Sequence, residues 1–262
     1  MPTLTDNLAR RRWHGTEYFS GRARYRDLAV AVKVFPSDQT GPAFVLVHGI
    51  GVSTRYFTPL AAALAKFGQV YLIDLPGYGS APNPHQDVSL AEHAAVLAEF
   101  LTAYGVQNPV LVGHSMGTQI VTRLAVDSPE VSDRLVLLGT TMRPSGRRVG
   151  RASWLLFRDI LREPLMANVI VVVDYLFRCG IPYYLRQLPH LLDDRIEERL
   201  PRVRAKTLVI SGHRDPIATA EWTQQIAELI PDAQAQLVNG PHVIMFTDPQ
   251  NTARLIAEHA AR

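Results

Sequence analysis

Apolar positions along the chain follow two periods, and the shorter one predicts a series of β-strands. Residues 27–35 alternate apolar side chains with small or charged ones, which is typical of a half-exposed edge strand. Residues 43–47 and 110–112 are wholly apolar, as expected of strands covered on both faces. The predicted strands, in chain order, are 27–35, 43–47, 69–73, 110–112, 134–138, 206–210 and 234–238.

A longer period, close to the turn of an α-helix, predicts helices between these strands. The clearest is 89–104, where Ser89 and Glu92 form a capping box and apolar side chains share one face, with His93 on its flank. The other predicted helices are 57–67, 116–126, 219–230 and one that begins at Asp248-Pro249. Strands that alternate with helices predict a mostly parallel sheet with right-handed crossovers.

Two segments depart from this alternation. Residues 1–26 are polar and arginine-rich, and we expect a loosely held lead-in there. Residues 142–204 are rich in arginine, leucine and aromatic side chains and are interrupted by prolines, which predicts a helical insertion over the carboxyl edge of the sheet. The predicted domains are therefore a core of residues 1–141 and 205–262 and a cap of residues 142–204.

Composition restricts the class of protein. A chain of 262 residues with 47% hydrophobic and 19% charged residues forms one globular domain, or one domain with an insertion. The formal charge is +3, and the arginine clusters at 10–12 and 147–151 are separate rather than one basic stripe, so no nucleic-acid partner is expected. The apolar run at 169–173 is ended by Asp174 and is far too short to span a bilayer. A single cysteine, Cys179, excludes an internal disulfide and favours a reducing, cytoplasmic location.

The motif Gly113-His114-Ser115-Met116-Gly117 lies where a predicted strand meets a predicted helix. Glycines at both ends remove side chains at a sharp turn, so Ser115 can adopt strained backbone with its hydroxyl exposed. The start of the helix adds free N–H groups and a dipole that favour developing negative charge. We therefore predict that Ser115 is a nucleophile.

A serine hydroxyl becomes a nucleophile at neutral pH when a base and an orienting carboxylate accompany it. Asp215 follows the strand predicted at 206–210, and His242 follows the one predicted at 234–238. In a parallel sheet both loops open on the same edge as Ser115. The chain order serine, aspartate, histidine is that of a nucleophile-elbow enzyme, so Asp215 and His242 are the predicted partners.

Five ordered motifs carry a family resemblance: His48-Gly49-Ile50-Gly51, Asp74-Leu-Pro-Gly-Tyr-Gly79, Gly113-His-Ser-Met-Gly117, Gly212-His-Arg-Asp215 and His242. On these residues, the chain from 27 to 262 resembles an α/β-hydrolase. The resemblance implies an eight-stranded, mostly parallel sheet with helices on both faces, a cap inserted after the sixth strand, and a Ser-His-Asp triad. It also implies that the backbone N–H groups of Ile50 and Met116 form an oxyanion hole, in which each donor contributes roughly a hundred- to a thousandfold in rate.

Other side chains near these motifs have predicted roles. We expect His48 to hold the oxyanion loop by hydrogen bonding, and Gly49, Gly51, Gly113 and Gly117 to be structural. Aromatic residues of the cap line an acyl or alcohol pocket or form the cap's own core, and the sequence leaves both readings open. The candidate substrate contacts are His114, Trp154, Phe157 and Tyr183. The histidines expected at the surface are His14, His85, His190 and His259.

The predicted function is hydrolysis of a small to medium, largely apolar carboxylic ester through an acyl-enzyme on Ser115. No metal or organic cofactor is expected, because the oxyanion hole suffices to polarise a carbonyl. Alternatives on the same triad are a lactonase, a thioesterase or a carbon–carbon bond hydrolase. Carbon–carbon hydrolases tend to carry a tryptophan after the base histidine, where this chain has Val243. A non-enzymatic ligand receptor on this fold is a more distant alternative, and the sequence leaves substrate identity and oligomeric state open.

Overall fold

The apolar segments of the sequence assemble into one sheet, and the computed structural model describes residues 8–25, 27–146 and 165–262. The described strands are β1 (Ala9–Trp13), β2 (Thr16–Tyr25), β3 (Leu28–Phe35), β4 (Phe44–Val47), β5 (Val70–Asp74), β6 (Val110–Ser115), β7 (Arg134–Thr140), β8 (Lys206–Gly212) and β9 (Ala233–Val238). Their order across the sheet is β1-β2-β3-β5-β4-β6-β7-β8-β9. The pairs β1–β2, β2–β3 and β3–β5 are antiparallel. The remaining pairs are parallel, so the sheet is mostly parallel, as predicted.

The first hairpin corrects three predictions. Residues 9–25 were expected to be a loose lead-in, but they form β1 and β2, so the described sheet has nine strands rather than the eight that the resemblance implied. His14 and Gly15, both with positive φ, form the two-residue turn that suits the twist of a hairpin. Arg10 and Arg12 pair with Glu17 across the two strands. Because this hairpin extends the sheet beyond β3, the predicted edge strand lies inside the sheet and is largely buried.

Helices connect the parallel strands at nearly the predicted positions. The described α-helices are α1 (Thr58–Leu64), α2 (Leu90–Ala103), α3 (Met116–Asp127), α4 (Leu165–Val173), α5 (Ile181–Asp193), α6 (Ile196–Arg199), α7 (Ala220–Leu229), α8 (Ile244–Thr247) and α9 (Pro249–Ala260). The predicted helix at 57–67 is shorter than expected, because a 3₁₀ turn over Thr54–Phe57 precedes α1. The capping box of α2 forms as predicted, with Ser89 and Glu92 each accepting from the other's backbone N–H.

The core lies in two layers, one on each face of the sheet. Side chains of α2, α3 and α7 pack on one face, and those of α1, α8 and α9 pack on the other. Two histidines that were expected on a flank or at the surface belong to these layers. His93 is fully buried and lies 3.2 Å from Gln187 Oε1, and His259 is 2% exposed beside the Lys206 carbonyl. Their helices pack against other elements on those faces, which periodicity within one helix does not reveal.

The connection between β7 and β8 is helical where it is described. It contains α4, a π-helical turn over Asp174–Cys179, α5, α6 and a 3₁₀ turn over Leu200–Arg202. Trp154, Phe157 and the arginines at 147–151 lie outside the described residues. The division into a core and a cap at residues 142–204 remains a prediction. Within the described ranges, every helix is too short or too polar to cross a membrane.

Candidate active site

Ser115 lies at a sharp turn between β6 and α3. Its φ of 52° and ψ of −120° are rare for a residue with a side chain, and α3 begins at the next residue. The turn requires the flanking glycines, because a Cβ at Gly113 would lie 2.5 Å from the Gly117 carbonyl oxygen. A Cβ at Gly117 would lie 2.2 Å from the Val47 carbonyl oxygen, so α3 could not approach the end of β4. Ser115 is half-buried while both its neighbours are buried, which leaves its side chain partly accessible.

Asp215 and His242 form a buried hydrogen-bonded pair. His242 Nδ1 lies 2.7 Å from Asp215 Oδ2, and the two side chains are 6% and 0% exposed. The other carboxylate oxygen accepts from the N–H groups of Ile217 and Ala218 at 2.8 and 2.9 Å. These bonds hold the carboxylate in one orientation. Because the Asp215 carboxylate can only accept hydrogen bonds, it selects the His242 tautomer with the proton on Nδ1 and the lone pair on Nε2.

The loops after β6, β7 and β9 meet at the carboxyl edge of the sheet. A Cβ at Gly139, at the end of β7, would lie 3.0 Å from His242 Nδ1 and 3.3 Å from His114 Nε2. The His114 and His242 rings lie 4.6 Å apart between centroids. Since Ser115 directly follows His114, the predicted nucleophile and the predicted base share this edge.

The loop after β4 approaches Ser115 from the other side. A Cβ at Gly49 would lie 3.5 Å from Ser115 Oγ and 3.0 Å from Ser115 Cβ. His48 is fully buried, and its Nε2 accepts from the Leu75 N–H at 3.0 Å. Its Nδ1 therefore carries the proton and donates to the Gly49 carbonyl oxygen at 2.7 Å. Burial lowers the pKa of His48, which keeps the ring neutral for this pair of bonds.

The His48 contact controls the direction of one backbone donor. The Gly49 carbonyl and the Ile50 N–H belong to the same planar trans peptide, so their directions are linked. Holding that carbonyl at one end of the peptide therefore directs the N–H at the other end. Met116, whose N–H is the other predicted donor, is the first residue of α3, where backbone N–H groups have no partner within the helix.

A carboxylate in the turn after β5 supports the loop that follows β4. Asp74 accepts from the Thr54 N–H at 2.7 Å and from the Ser80 N–H at 2.9 Å. Burial acts to raise the pKa of Asp74, but Lys33, His48 and these N–H groups outweigh it and lower the pKa. Asp74 is therefore charged and connects two loops through these hydrogen bonds.

The π-helical turn after α4 also contacts the loop that follows β4. Asp174 is fully buried and accepts from the Ser53 N–H at 3.1 Å, from the Ser53 hydroxyl, and from Arg55 Nη1 at 3.2 Å. Tyr175 and Tyr184 lie over Gly51, where a Cβ would approach their rings to 3.0 and 3.1 Å. Sequence reasoning missed the contact of Asp174. The available signal was an acidic residue at the end of an apolar run.

Two candidate substrate contacts have other partners in the structure. His114 is 3% exposed, and its ring nitrogens contact the Tyr56 hydroxyl at 2.9 Å and the His242 carbonyl oxygen at 3.3 Å. Tyr183 is 1% exposed and donates to the Pro76 carbonyl oxygen at 2.9 Å. Substrate contact by His114 and Tyr183 therefore remains a prediction, while the polar atoms of both side chains have partners within the protein. Their polar atoms are used in tertiary contacts that the sequence pattern does not show.

The described residues include no group of three or more histidine, cysteine, aspartate or glutamate side chains arranged to hold a metal ion. Cys179 is buried, and burial raises the pKa of its thiol to about 12, so it is a weak nucleophile at neutral pH. Among the described residues, the carboxyl edge thus brings together a strained serine, a histidine and a buried carboxylate.

The chain is similar to a protein family and to individual proteins of other organisms. A family model described as "Alpha/beta hydrolase family" matches residues 44–255. "Uncharacterized protein Rv2715" of Mycobacterium tuberculosis (strain ATCC 25618 / H37Rv) is 33% identical over 99 residues, which cover 38% of this chain and only 29% of that protein. "Putative carbamate hydrolase RutD" of Escherichia coli O9:H4 (strain HS) is 26% identical over 244 residues, covering 84% of this chain and 92% of that protein.

A solved structure agrees with the fold described above. The enol-lactonase from Burkholderia xenovorans LB400 matches with a TM-score of 0.80 and 17% sequence identity. The match covers 92% of this chain and 100% of that one. At this identity the likeness shows the fold and leaves the substrate open.

Proposed function

Because the chain belongs to the alpha/beta hydrolase family, we propose that it is a hydrolase that cleaves carboxylic esters through an acyl-enzyme on Ser115. The substrate in this proposal is small to medium in size and largely apolar. The observation that carries it is the buried pair of Asp215 and His242, in which Nδ1 lies 2.7 Å from the carboxylate, at the same sheet edge as Ser115 in its strained turn.

In the first half of the reaction, His242 Nε2 takes the proton of the Ser115 hydroxyl while Oγ attacks the ester carbonyl. Asp215 stabilises the imidazolium that forms. The carbonyl oxygen becomes an oxyanion and accepts from the N–H groups of Met116 and Ile50. The intermediate collapses, the alcohol leaves with the proton from His242, and the acyl group remains on Ser115.

In the second half, a water molecule gives a proton to His242 Nε2 and attacks the acyl carbonyl. The same N–H groups hold the second oxyanion, and collapse releases the acid and restores the serine. His48 supports both halves, because its bond to the Gly49 carbonyl directs the Ile50 N–H before any substrate arrives. This mechanism calls for no metal or organic cofactor, since the charge that develops is held by the oxyanion hole.

A carbamate is the second candidate substrate class. A relative that matches 84% of this chain bears the name of a carbamate hydrolase. A carbamate carbonyl forms the same tetrahedral oxyanion, so the same residues would act on it. Lactones, thioesters and vinylogous diketones can be attacked by the same triad and belong in the same test.

The test is a panel of esters of increasing acyl length, together with a lactone, a thioester, an aryl carbamate and a diketone ring-fission product. We expect ester hydrolysis by the full chain, and loss of that activity in Ser115→Ala. A fluorophosphonate should label Ser115, as located by peptide mass spectrometry, and should leave Ser115→Ala unlabelled. Ester hydrolysis by Ser115→Ala at the wild-type rate would refute the proposal. Tight binding of an ester without turnover by the wild type would favour the receptor alternative.

A further inference from the structure

A buried chain of hydrogen bonds joins two loops of the site. One is the loop after β4, which carries the predicted donor Ile50 (the oxyanion loop), and the other is the loop after β9, which carries the predicted base His242 (the base loop). The Tyr56 hydroxyl lies 2.9 Å from the Gly49 backbone nitrogen and 2.9 Å from His114 Nδ1. His114 Nε2 lies 3.3 Å from the His242 carbonyl oxygen. Tyr56 and His114 are 1% and 3% exposed, so both side chains are almost fully buried in the protein.

The proton positions along this chain of hydrogen bonds follow from the groups at its two ends, the Gly49 N–H and the His242 carbonyl. The Gly49 N–H can only donate, so the Tyr56 oxygen accepts from it and directs its own hydrogen at His114 Nδ1. Nδ1 therefore accepts, and the neutral imidazole carries its proton on Nε2. That N–H donates to the His242 carbonyl, which can only accept. Burial and the neighbouring His242 lower the pKa of His114, in agreement with a neutral ring.

The two ends of this hydrogen-bond chain are attached to the parts of the site that must act together. At one end, the Gly49 N–H adjoins the peptide that carries the Ile50 N–H, the proposed oxyanion donor. At the other end, the His242 carbonyl belongs to the residue that supplies the proposed base. Proton transfer and oxyanion stabilisation occur in the same transition state, so the separation of these two groups affects the rate.

We propose that Tyr56 and His114 are positioning residues that hold the oxyanion loop and the base loop at a set separation. This proposal rests on the proposed serine-hydrolase function. Such positioning differs from simple packing because the three hydrogen bonds, Gly49–Tyr56, Tyr56–His114 and His114–His242, are connected in series. Removing any one of these hydrogen bonds uncouples the positions of the two loops, whether or not the other two bonds remain.

Three substitutions remove different hydrogen bonds of this series. Tyr56→Phe removes the bonds to Gly49 and His114. His114→Asn keeps an acceptor near the position of Nδ1 but has no donor that reaches the His242 carbonyl. His114→Gln keeps a donor near the position of Nε2 and loses the acceptor for Tyr56, so it cuts only the central link. Asparagine and glutamine mimic the two imidazole nitrogens because their amide groups end at different distances from the backbone.

The experiment measures kcat and KM for the best ester of the panel and the rate at which a fluorophosphonate modifies Ser115. Each single variant should lose about tenfold to a hundredfold in kcat, since a misplacement of about 1 Å can cost that much. KM should change by less than about twofold, because both side chains are almost fully buried in the protein. The Tyr56→Phe, His114→Asn double variant should be no more than about threefold worse than the worse single variant, because both cut one series.

His259 supplies the matched control. It is 2% exposed and its Nε2 lies 3.1 Å from the Lys206 carbonyl oxygen, at the opposite edge of the sheet. His259→Asn and His259→Gln therefore make the same chemical changes at a similarly buried histidine away from the site. We expect them to lower the thermal midpoint as the His114 variants do while leaving kcat unchanged. Should His114→Asn fail to fold, Tyr56→Phe and His114→Gln still provide the test.

The outcomes separate this proposal from the proposed function. If the wild type hydrolyses esters and His114→Gln is as impaired as His114→Asn, the coupling is supported. If His114→Gln keeps the wild-type kcat, or if the losses of Tyr56→Phe and His114→Asn multiply in the double variant, the coupling is refuted while the hydrolase proposal stands. If the wild type hydrolyses no substrate of the panel and Ser115 is not labelled, the proposed function is refuted and the coupling falls with it.

Discussion

The backbone at Ser115 predicts an unusual order of stability for two inactive variants. Both Ser115→Ala and Ser115→Gly remove the hydroxyl, but only glycine tolerates a φ of 52° with a ψ of −120° at little cost. Holding a residue with a Cβ in such a region costs about 1–3 kcal/mol. Glycine loses about 0.5–1 kcal/mol relative to alanine through its greater freedom in the unfolded chain. The difference leaves Ser115→Gly more stable than Ser115→Ala by about 1 kcal/mol.

The assay is urea unfolding followed by circular dichroism, with a thermal scan as a second measurement. For a chain of this size, about 1 kcal/mol corresponds to a rise in Tm of about 2–4 °C. Ser211, inside β8, is the control, because both substitutions there lose the same hydroxyl bond to Thr223. At that ordinary strand position we expect the opposite order, with glycine less stable than alanine by about 0.5–1 kcal/mol. The same order at both positions would refute the inference that Ser115 is strained.

Three further predictions test the site and the core. Asp215→Asn should lower kcat by about 10⁴-fold, because an amide no longer selects the His242 tautomer with a proton on Nδ1; a kcat within about tenfold of wild type would contradict this. Gly117→Ala should lower the free energy of unfolding by about 3 kcal/mol, since its Cβ would overlap the Val47 carbonyl oxygen, and urea unfolding that shows no loss would contradict the packing. Burial lowers the pKa of His93 to about 4, so the unfolded state binds more protons between about pH 6.5 and pH 4 and stability falls as the pH drops through that window. Between pH 7 and pH 4, the free energy of unfolding of His93→Gln should therefore fall by about 3 kcal/mol less than that of the wild type. Urea unfolding at both pH values that shows the same fall for the two proteins would contradict this.

Local signals were sufficient for several elements of the fold. The strand before Ser115 begins at Val110 as predicted and extends three residues beyond the predicted 110–112, and α3 begins at Met116 as predicted. The capping box of Ser89 and Glu92 also forms as predicted. These features depend on residues a few positions apart, and their backbone requirements can therefore be read directly from residue type.

The first hairpin shows where such signals fail. β1 and β2 lie at the edge of the sheet and are mostly polar, so they lack the apolar alternation that reveals a half-buried strand. The available signals were a two-residue turn at His14 and Gly15 and opposite charges at Arg12 and Glu17. Neither is specific without knowledge that β3 leaves an edge open for pairing.

The sequence by itself determined the family, the order of the motifs and the residue types available for chemistry. The tertiary structure decided which of those groups meet, including the contact of Asp174 with the loop after β4 and the path from Gly49 through Tyr56 and His114 to His242. A hydrogen bond requires two specific atoms about 3 Å apart and suitably oriented. Residues far apart along the chain satisfy that condition only after the sheet has brought their loops to one edge, and no period in the sequence records it.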